Sequence, residues 1–199
     1  HGCFEQTSSA NYPNVMALRY MELRGLSDAA TVAKARGYLD TGYGRLTGYE
    51  SPSGGFDWWG RDPGHEELTA YGLQQFVDMS RVYPVDTAMI ARTGAWLAGR
   101  RDGEGGYHRA EKALHRFGRA APEVTAAYLT YSLLQSGYGD LPAELEAQAA
   151  SARTTSDPYL LSLAALSLLS SPSYRDQGAA AAARLAGMQD GEGAWSTAR

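Results

Sequence analysis

Asp102-Gly103-Glu104-Gly105-Gly106-Tyr107 is the stretch on which the fold is read. Glycine at that density breaks a helix, and the run closes on an aromatic. Gly54-Gly55-Phe56 and Asp190-Gly191-Glu192-Gly193-Ala194-Trp195 repeat the pattern, with aromatics at 56, 107 and 195. The first two turns lead, after a loop, into similar helix starts, Glu67-Leu68-Thr69-Ala70 and Glu123-Val124-Thr125-Ala126; Asp157 opens a degenerate third. A period of about forty to fifty residues with helical patterning between the turns means stacked helical hairpins. The aromatic of each turn is expected to plug the end of a hairpin.

Outward from these turns the chain reads as helix. Val15, Leu18 and Met21–Leu23 share a face, and Gly25 ends that run. Val32, Ala35 and Leu39 begin a second helix, which Gly42 and Gly44 need not stop. Residues 51–64 carry too much Pro and Gly to be helical. Helices follow from Glu67, from Pro84-Val85-Asp86, from Glu123, from Pro142 and from Tyr174. Asp157-Pro158 places Asp at an N-cap and Pro at the first helical position of a strongly apolar helix. Alternation of apolar and polar residues never lasts long enough for a strand. The fold class is all-α. Hairpins of this length build an open solenoid or close into an α/α toroid; triterpene cyclases and protein prenyltransferases also use Gly-rich turns with aromatic plugs in closed α/α barrels.

The 199 residues suffice for one domain over 1–199 with a sizeable core. A net charge of -4, with Lys and Arg scattered, excludes a nucleic-acid-binding face. No apolar run spans a membrane. Both ends read as cut, so a longer multidomain parent is expected. The single cysteine, Cys3, excludes a disulfide framework and a cysteine-rich metal site. The four histidines show no metal-ligand spacing with acids, so no metal and no cofactor is expected.

Cys3 lies three residues before Gln6. A thiolate that close to a carboxamide carbon can displace ammonia and leave an internal thioester. The pair alone is weak, because a lone Cys is more often a small buried hydrophobe. The wider wording is more specific. Gly2-Cys3-Phe4-Glu5-Gln6-Thr7, followed by Tyr12-Pro13-Asn14-Val15, resembles the thioester motif of the alpha-2-macroglobulin and complement family, and its Thr-Ser-Ser resembles bacterial members. Gly37-Tyr38-Leu39-Asp40-Thr41-Gly42-Tyr43 and the Leu-Thr-Ala helix start extend the resemblance along the chain.

The resemblance implies an α/α toroid in which Gly2, Cys3, Glu5 and Gln6 form the motif, Gln6 as acyl side and Cys3 as leaving group. His115, eight residues after Tyr107, matches the family histidine that attacks the thioester and transfers the acyl group, and it implies a preference for hydroxyl targets. His65 and His108 are the alternatives. Tyr12, Phe56, Trp58, Trp59 and Tyr107 are candidates to shelter the bond, although core burial explains each alone. The implied function is single-use covalent capture of proteases or of surface hydroxyl and amine nucleophiles, not enzymic turnover. Neighbouring domains of a periplasmic or extracellular parent are the implied partners. The rival readings are an α/α-barrel enzyme related to terpene cyclases or prenyltransferases, and a non-catalytic helical binding module. The enzyme would need an Asp-rich or zinc motif, whereas Asp57, Asp62 and Asp102 are isolated.

Overall fold

Helices begin where the chain supplies a cap. In the computed structural model, which describes residues 2–26, 28–110 and 120–196, α1 (Phe4–Leu23) starts on Cys3. Helix α2 (Ala29–Leu46) starts on Asp28, whose carboxylate accepts the Thr31 N–H at 3.1 Å. Helix α3 (Glu66–Met79) carries two glutamates in its first turn, where the helix dipole favours them. Helix α4 is Thr87–Ala98. Helices α5 (Pro122–Gln135), α6 (Pro142–Thr154) and α7 (Pro158–Leu169) all begin with proline, whose missing N–H is no loss there. Asp157 caps α7 by accepting the Tyr159 N–H at 2.8 Å, and α8 is Arg175–Gly187. The described residues hold these eight α-helices and only two isolated β-bridges, Glu50–Phe56 and Arg101–Tyr107, so the all-α expectation holds.

One boundary differs from the sequence reading. Helix α1 does not begin after Pro13; it begins at Phe4 and carries Pro13 inside it. Pro13 lies on the exposed side, where water can serve the carbonyl that loses its N–H partner. Leu23 also faces outward, 67% exposed, rather than joining the apolar face of Val15 and Leu18. Helix α2 does run through its glycines. Gly42 is required by packing: a Cβ there would stand 2.2 Å from Asn11 Oδ1 and 2.9 Å from Asn11 Cβ.

The described residues fall into two compact units, residues 2–97 with Ala110, and Ala98–Arg109 with 120–196. In the first, Phe4, Phe56 and Phe76 form the centre of a core, with ring centroids 5.1 and 5.4 Å apart along the series. Val15, Leu18, Ala35, Leu39 and Met79 form a second cluster in the same unit. In the other unit Leu145, Leu161, Leu168 and Ala181 join α6, α7 and α8.

Each unit contains one of the first two Gly-rich turns, built alike. Phe56 is fully buried, and its N–H donates to the Thr69 hydroxyl at 2.8 Å; Tyr107 is 9% exposed, with its hydroxyl 3.2 Å from that of Thr130. The residue bridged to each aromatic makes a two-pronged ion pair with the second helix that follows it. Glu50 takes Arg92 of α4 at 2.7 and 2.8 Å, and Arg101 takes Glu144 of α6 at 2.7 and 2.9 Å, with the signs exchanged. The third turn repeats the backbone of the second. Asp102 Oδ1 accepts the Glu104 and Gly106 N–H groups, and Asp190 Oδ1 accepts those of Glu192 and Ala194. The Glu104 N–H and then the Gly106 N–H hold the Asp102 carboxyl below its usual range. The third aromatic departs from the plug expectation. Trp195 is 46% exposed, and its indole N–H caps the Leu185 carbonyl at 2.7 Å instead of filling a core.

The two ion pairs differ in burial, and that separates their worth. The Glu144 side chain is fully buried, whereas Arg92 is half exposed. Arg101→Ala strands a buried carboxylate and is expected to cost about 3 kcal/mol or more. Arg92→Ala is expected to cost about 1 kcal/mol or less. Urea denaturation midpoints of the two variants check the difference.

Candidate functional site

The first turn of α1 brings Cys3 and Gln6 together. Four N–H groups at a helix start lack partners within the helix. Cys3 and Gln6 serve two of them reciprocally as a capping box: the Gln6 carboxamide oxygen accepts the Cys3 N–H at 3.2 Å, and the Cys3 side chain meets the Gln6 N–H. Cys3 is a free thiol and only 9% exposed, while Gln6 is exposed. Gly2 leaves room for the turn, since a Cβ there would stand 3.1 Å from both Cβ and Oε1 of Gln6.

Two residues hold this turn from outside α1. The Tyr49 hydroxyl donates to the Gly2 carbonyl. The Trp58 carbonyl accepts the Phe4 N–H at 3.0 Å, and the Trp58 indole N–H donates to Glu5 Oε2 at 2.9 Å. His65 backs the indole edge-on at 4.7 Å between centroids and is 7% exposed. Phe4 anchors the turn in the core and fits there because Gly72 has no Cβ, which would meet Phe4 Cζ at 2.7 Å. Tyr49 was not singled out from the sequence; its partner lies 47 residues earlier, and no local pattern marks such a contact.

The other expected residues disperse. Phe56 is a core residue. Tyr12 is half-buried, with its hydroxyl on Asp78, and Trp59 is 53% exposed. Tyr107 belongs to the second unit, as does His108, which is exposed. His115 lies outside the described residues. His65, Glu66 and Glu67, whose spacing the sequence did not mark as a metal site, bring one donor atom each within 4.8 Å of one another. They are successive residues at a helix start, and both Glu66 oxygens already accept the Ala110 N–H, at 3.1 and 2.9 Å. Asp57, Asp62 and Asp102 each bind backbone N–H groups of their own loops, as loop-shaping residues do.

With this geometry in view, the comparisons define the class. The model of the A-macroglobulin TED domain, the thioester domain of that family, matches residues 1–196, and the chain belongs to that family. It is 28% identical over 139 residues to ovostatin of Gallus gallus and 26% identical over 134 residues to thioester-containing protein 1, allele R1, of Anopheles gambiae. Each match takes in 67% of this chain; the chain spans 9% of the first relative and 10% of the second. A crystal structure of native alpha-2-macroglobulin from Escherichia coli, running from domain MG7 to the C-terminus, superposes with a TM-score of 0.68 at 20% identity. It covers 96% of this chain and 29% of that one, a likeness of fold.

Phe4 ties the motif to the core, so Phe4→Ala is expected to destabilise the chain by about 3–5 kcal/mol. The same change is expected to speed alkylation of Cys3 by iodoacetamide. Urea denaturation and thiol-labelling rates check the two effects.

Proposed function

We propose that residues 1–199 form one thioester domain of an alpha-2-macroglobulin-like protease inhibitor, which captures attacking proteases or other surface nucleophiles covalently. The observation that carries this reading is the Cys3–Gln6 capping box at the start of α1, in a chain whose only cysteine is Cys3. The Cys3 sulfur attacks Gln6 Cδ, the thiol proton passes to Nε2, and Nε2 leaves as ammonia. The carbonyl oxygen stays on the acyl group. That oxygen already accepts the Cys3 N–H at 3.2 Å, so the same donor stabilises the negative charge that builds on it during attack.

Capture reverses the roles. A hydroxyl or amine attacks Cδ, its proton goes to the departing Cys3 sulfur, and an ester or amide to Gln6 remains. The reaction is single-use, which distinguishes it from enzymic turnover. In our reading His115 takes the acyl group first as an acyl-imidazole, a task suited to a neutral nucleophile near pH 7, and this favours hydroxyl targets. The parent acts outside the cytoplasm, in the periplasm or the extracellular space, with its neighbouring domains shielding the bond. No cofactor takes part.

Mass spectrometry of the intact parent tests the proposal. The expected result is a mass lower than the sequence by one ammonia, with uptake of one methylamine and release of one thiol. Cys3→Ser and Gln6→Ala each abolish the uptake, and His115→Asn shifts capture from glycerol toward methylamine. An intact amide and a free thiol in the unprocessed parent, with no amine uptake, rejects it.

A further inference from the structure

Two hydrogen bonds meet on one peptide group at the start of α1. The Gly2 carbonyl accepts the Tyr49 hydroxyl, and the Cys3 N–H of the same peptide donates to Gln6 Oε1 at 3.2 Å. A peptide unit is planar and its C=O and N–H point opposite ways, so a donor that fixes the carbonyl also aims the N–H. Gly2 gives that clamp its importance, because a residue without Cβ leaves the peptide more orientations to choose from. The hydroxyl also draws electron density toward the carbonyl oxygen and leaves the N–H a stronger donor, as in any chain of hydrogen bonds.

Tyr49 is itself held on several sides. It ends the short 3-10 turn Thr47–Tyr49, and its carbonyl accepts the Asp57 N–H at 3.2 Å. Its ring meets Phe4 edge-on, with centroids 6.1 Å apart and planes at 79°. Gly60 lets loop 51–64 close against this backbone: a Cβ there would stand 2.9 Å from the Gly48 carbonyl oxygen and 3.3 Å from Tyr49 Cα. The hydroxyl therefore reaches Gly2 from a fixed ring. Trp58 holds the following peptide through the Phe4 N–H, so the peptides on both sides of Cys3 are clamped.

We propose that Tyr49 is a positioning residue for acyl transfer at Gln6, acting through the Gly2–Cys3 peptide. The inference rests on the thioester reading. As a nucleophile adds to Gln6 Cδ, the carbonyl π electrons move onto Oε1. They return as the Cδ–Sγ bond breaks, and the nucleophile's proton passes to the Cys3 sulfur. Negative charge on Oε1 is greatest between these events, so a stronger and better aimed Cys3 N–H lowers the barrier. The same donor serves the attack by which the bond forms.

Tyr49→Phe and Tyr49→3-fluorotyrosine in the intact parent test the assignment. Both keep the ring. The first removes the donor, and the second strengthens it at a pH where the hydroxyl keeps its proton. Mass spectrometry follows the rate of methylamine uptake, and infrared difference spectra before and after methylamine read the thioester carbonyl band. Tyr49→Phe is expected to slow uptake about three- to tenfold, less than the loss of a donor in direct contact, and to raise the frequency of the band. The fluorinated ring is expected to do the opposite, a graded response that ring packing alone does not give. If Tyr49→Phe forms no thioester, the comparison of tyrosine with 3-fluorotyrosine decides. A parent that keeps its amide and its free thiol rejects the thioester reading and this assignment with it. A thioester that forms, with band and rate the same in every variant, overturns the role of Tyr49 alone.

Discussion

The hydrogen bonds that open α1 constrain everything around them. A helix start buried beside a core must find partners for its free N–H groups, and here the side chains of Cys3 and Gln6 serve two of them and the Trp58 carbonyl a third. The same geometry turns the Cys3 and Gln6 side chains each toward the other's backbone N–H. The proposed chemistry would make the same demand of the backbone as the cap does, and the surrounding contacts hold that backbone. Phe4 roots the turn in the core, Tyr49 fixes the carbonyl before Cys3, and Trp58 grips the turn through the Phe4 N–H and the Glu5 carboxylate. Loop 51–64, the least helical part of the first unit, is thus bound closely to the motif.

The two Gly-rich turns show how one solution is used twice with different parts. Both place an aromatic in a core and a bridged residue in a two-pronged ion pair. The pair keeps its geometry when the charges change places, because a guanidinium and a carboxylate match from either side. The covering group is not kept. An indole lies over the first turn, whereas the backbone of Ala143 and the side chain of Ala147 lie over the second. A repeat that preserves its frame and varies its cover separates what the fold needs from what it leaves available.

Much of this was legible in the sequence, for reasons that can be named. The helix start at Asp157-Pro158 depends on neighbouring residues, so local chemistry announces it. The Thr-Ala helix start repeated visibly, at Thr69-Ala70 and Thr125-Ala126, and in the first unit Thr69 holds the Phe56 N–H. Other features escaped because their partners are distant in sequence or because a strong local signal misled. Pro13 argued for a boundary, yet it sits on a wet face inside α1. Glu144 looked like one more charge on an amphipathic helix, and only Arg101, 43 residues earlier, makes it a core residue. Gly42 was no bar to the helix, but why glycine stands there shows only when Asn11 is set against it.

The two ends of the proposed bond have different surroundings. The sulfur side is sheltered, with Cys3 at 9% exposure, while Gln6 on the acyl side is exposed. The aromatics expected to shelter the pair have other roles: Phe56 is spent in the core, Tyr12 is bound to Asp78, and Trp59 faces solvent. Trp58 touches the motif but supports its backbone and Glu5. A thioester here would have a buried leaving group and an open electrophile. Its lifetime would then be set by whatever surface lies over Gln6, and its release by the removal of that surface, with no rearrangement of α1 required.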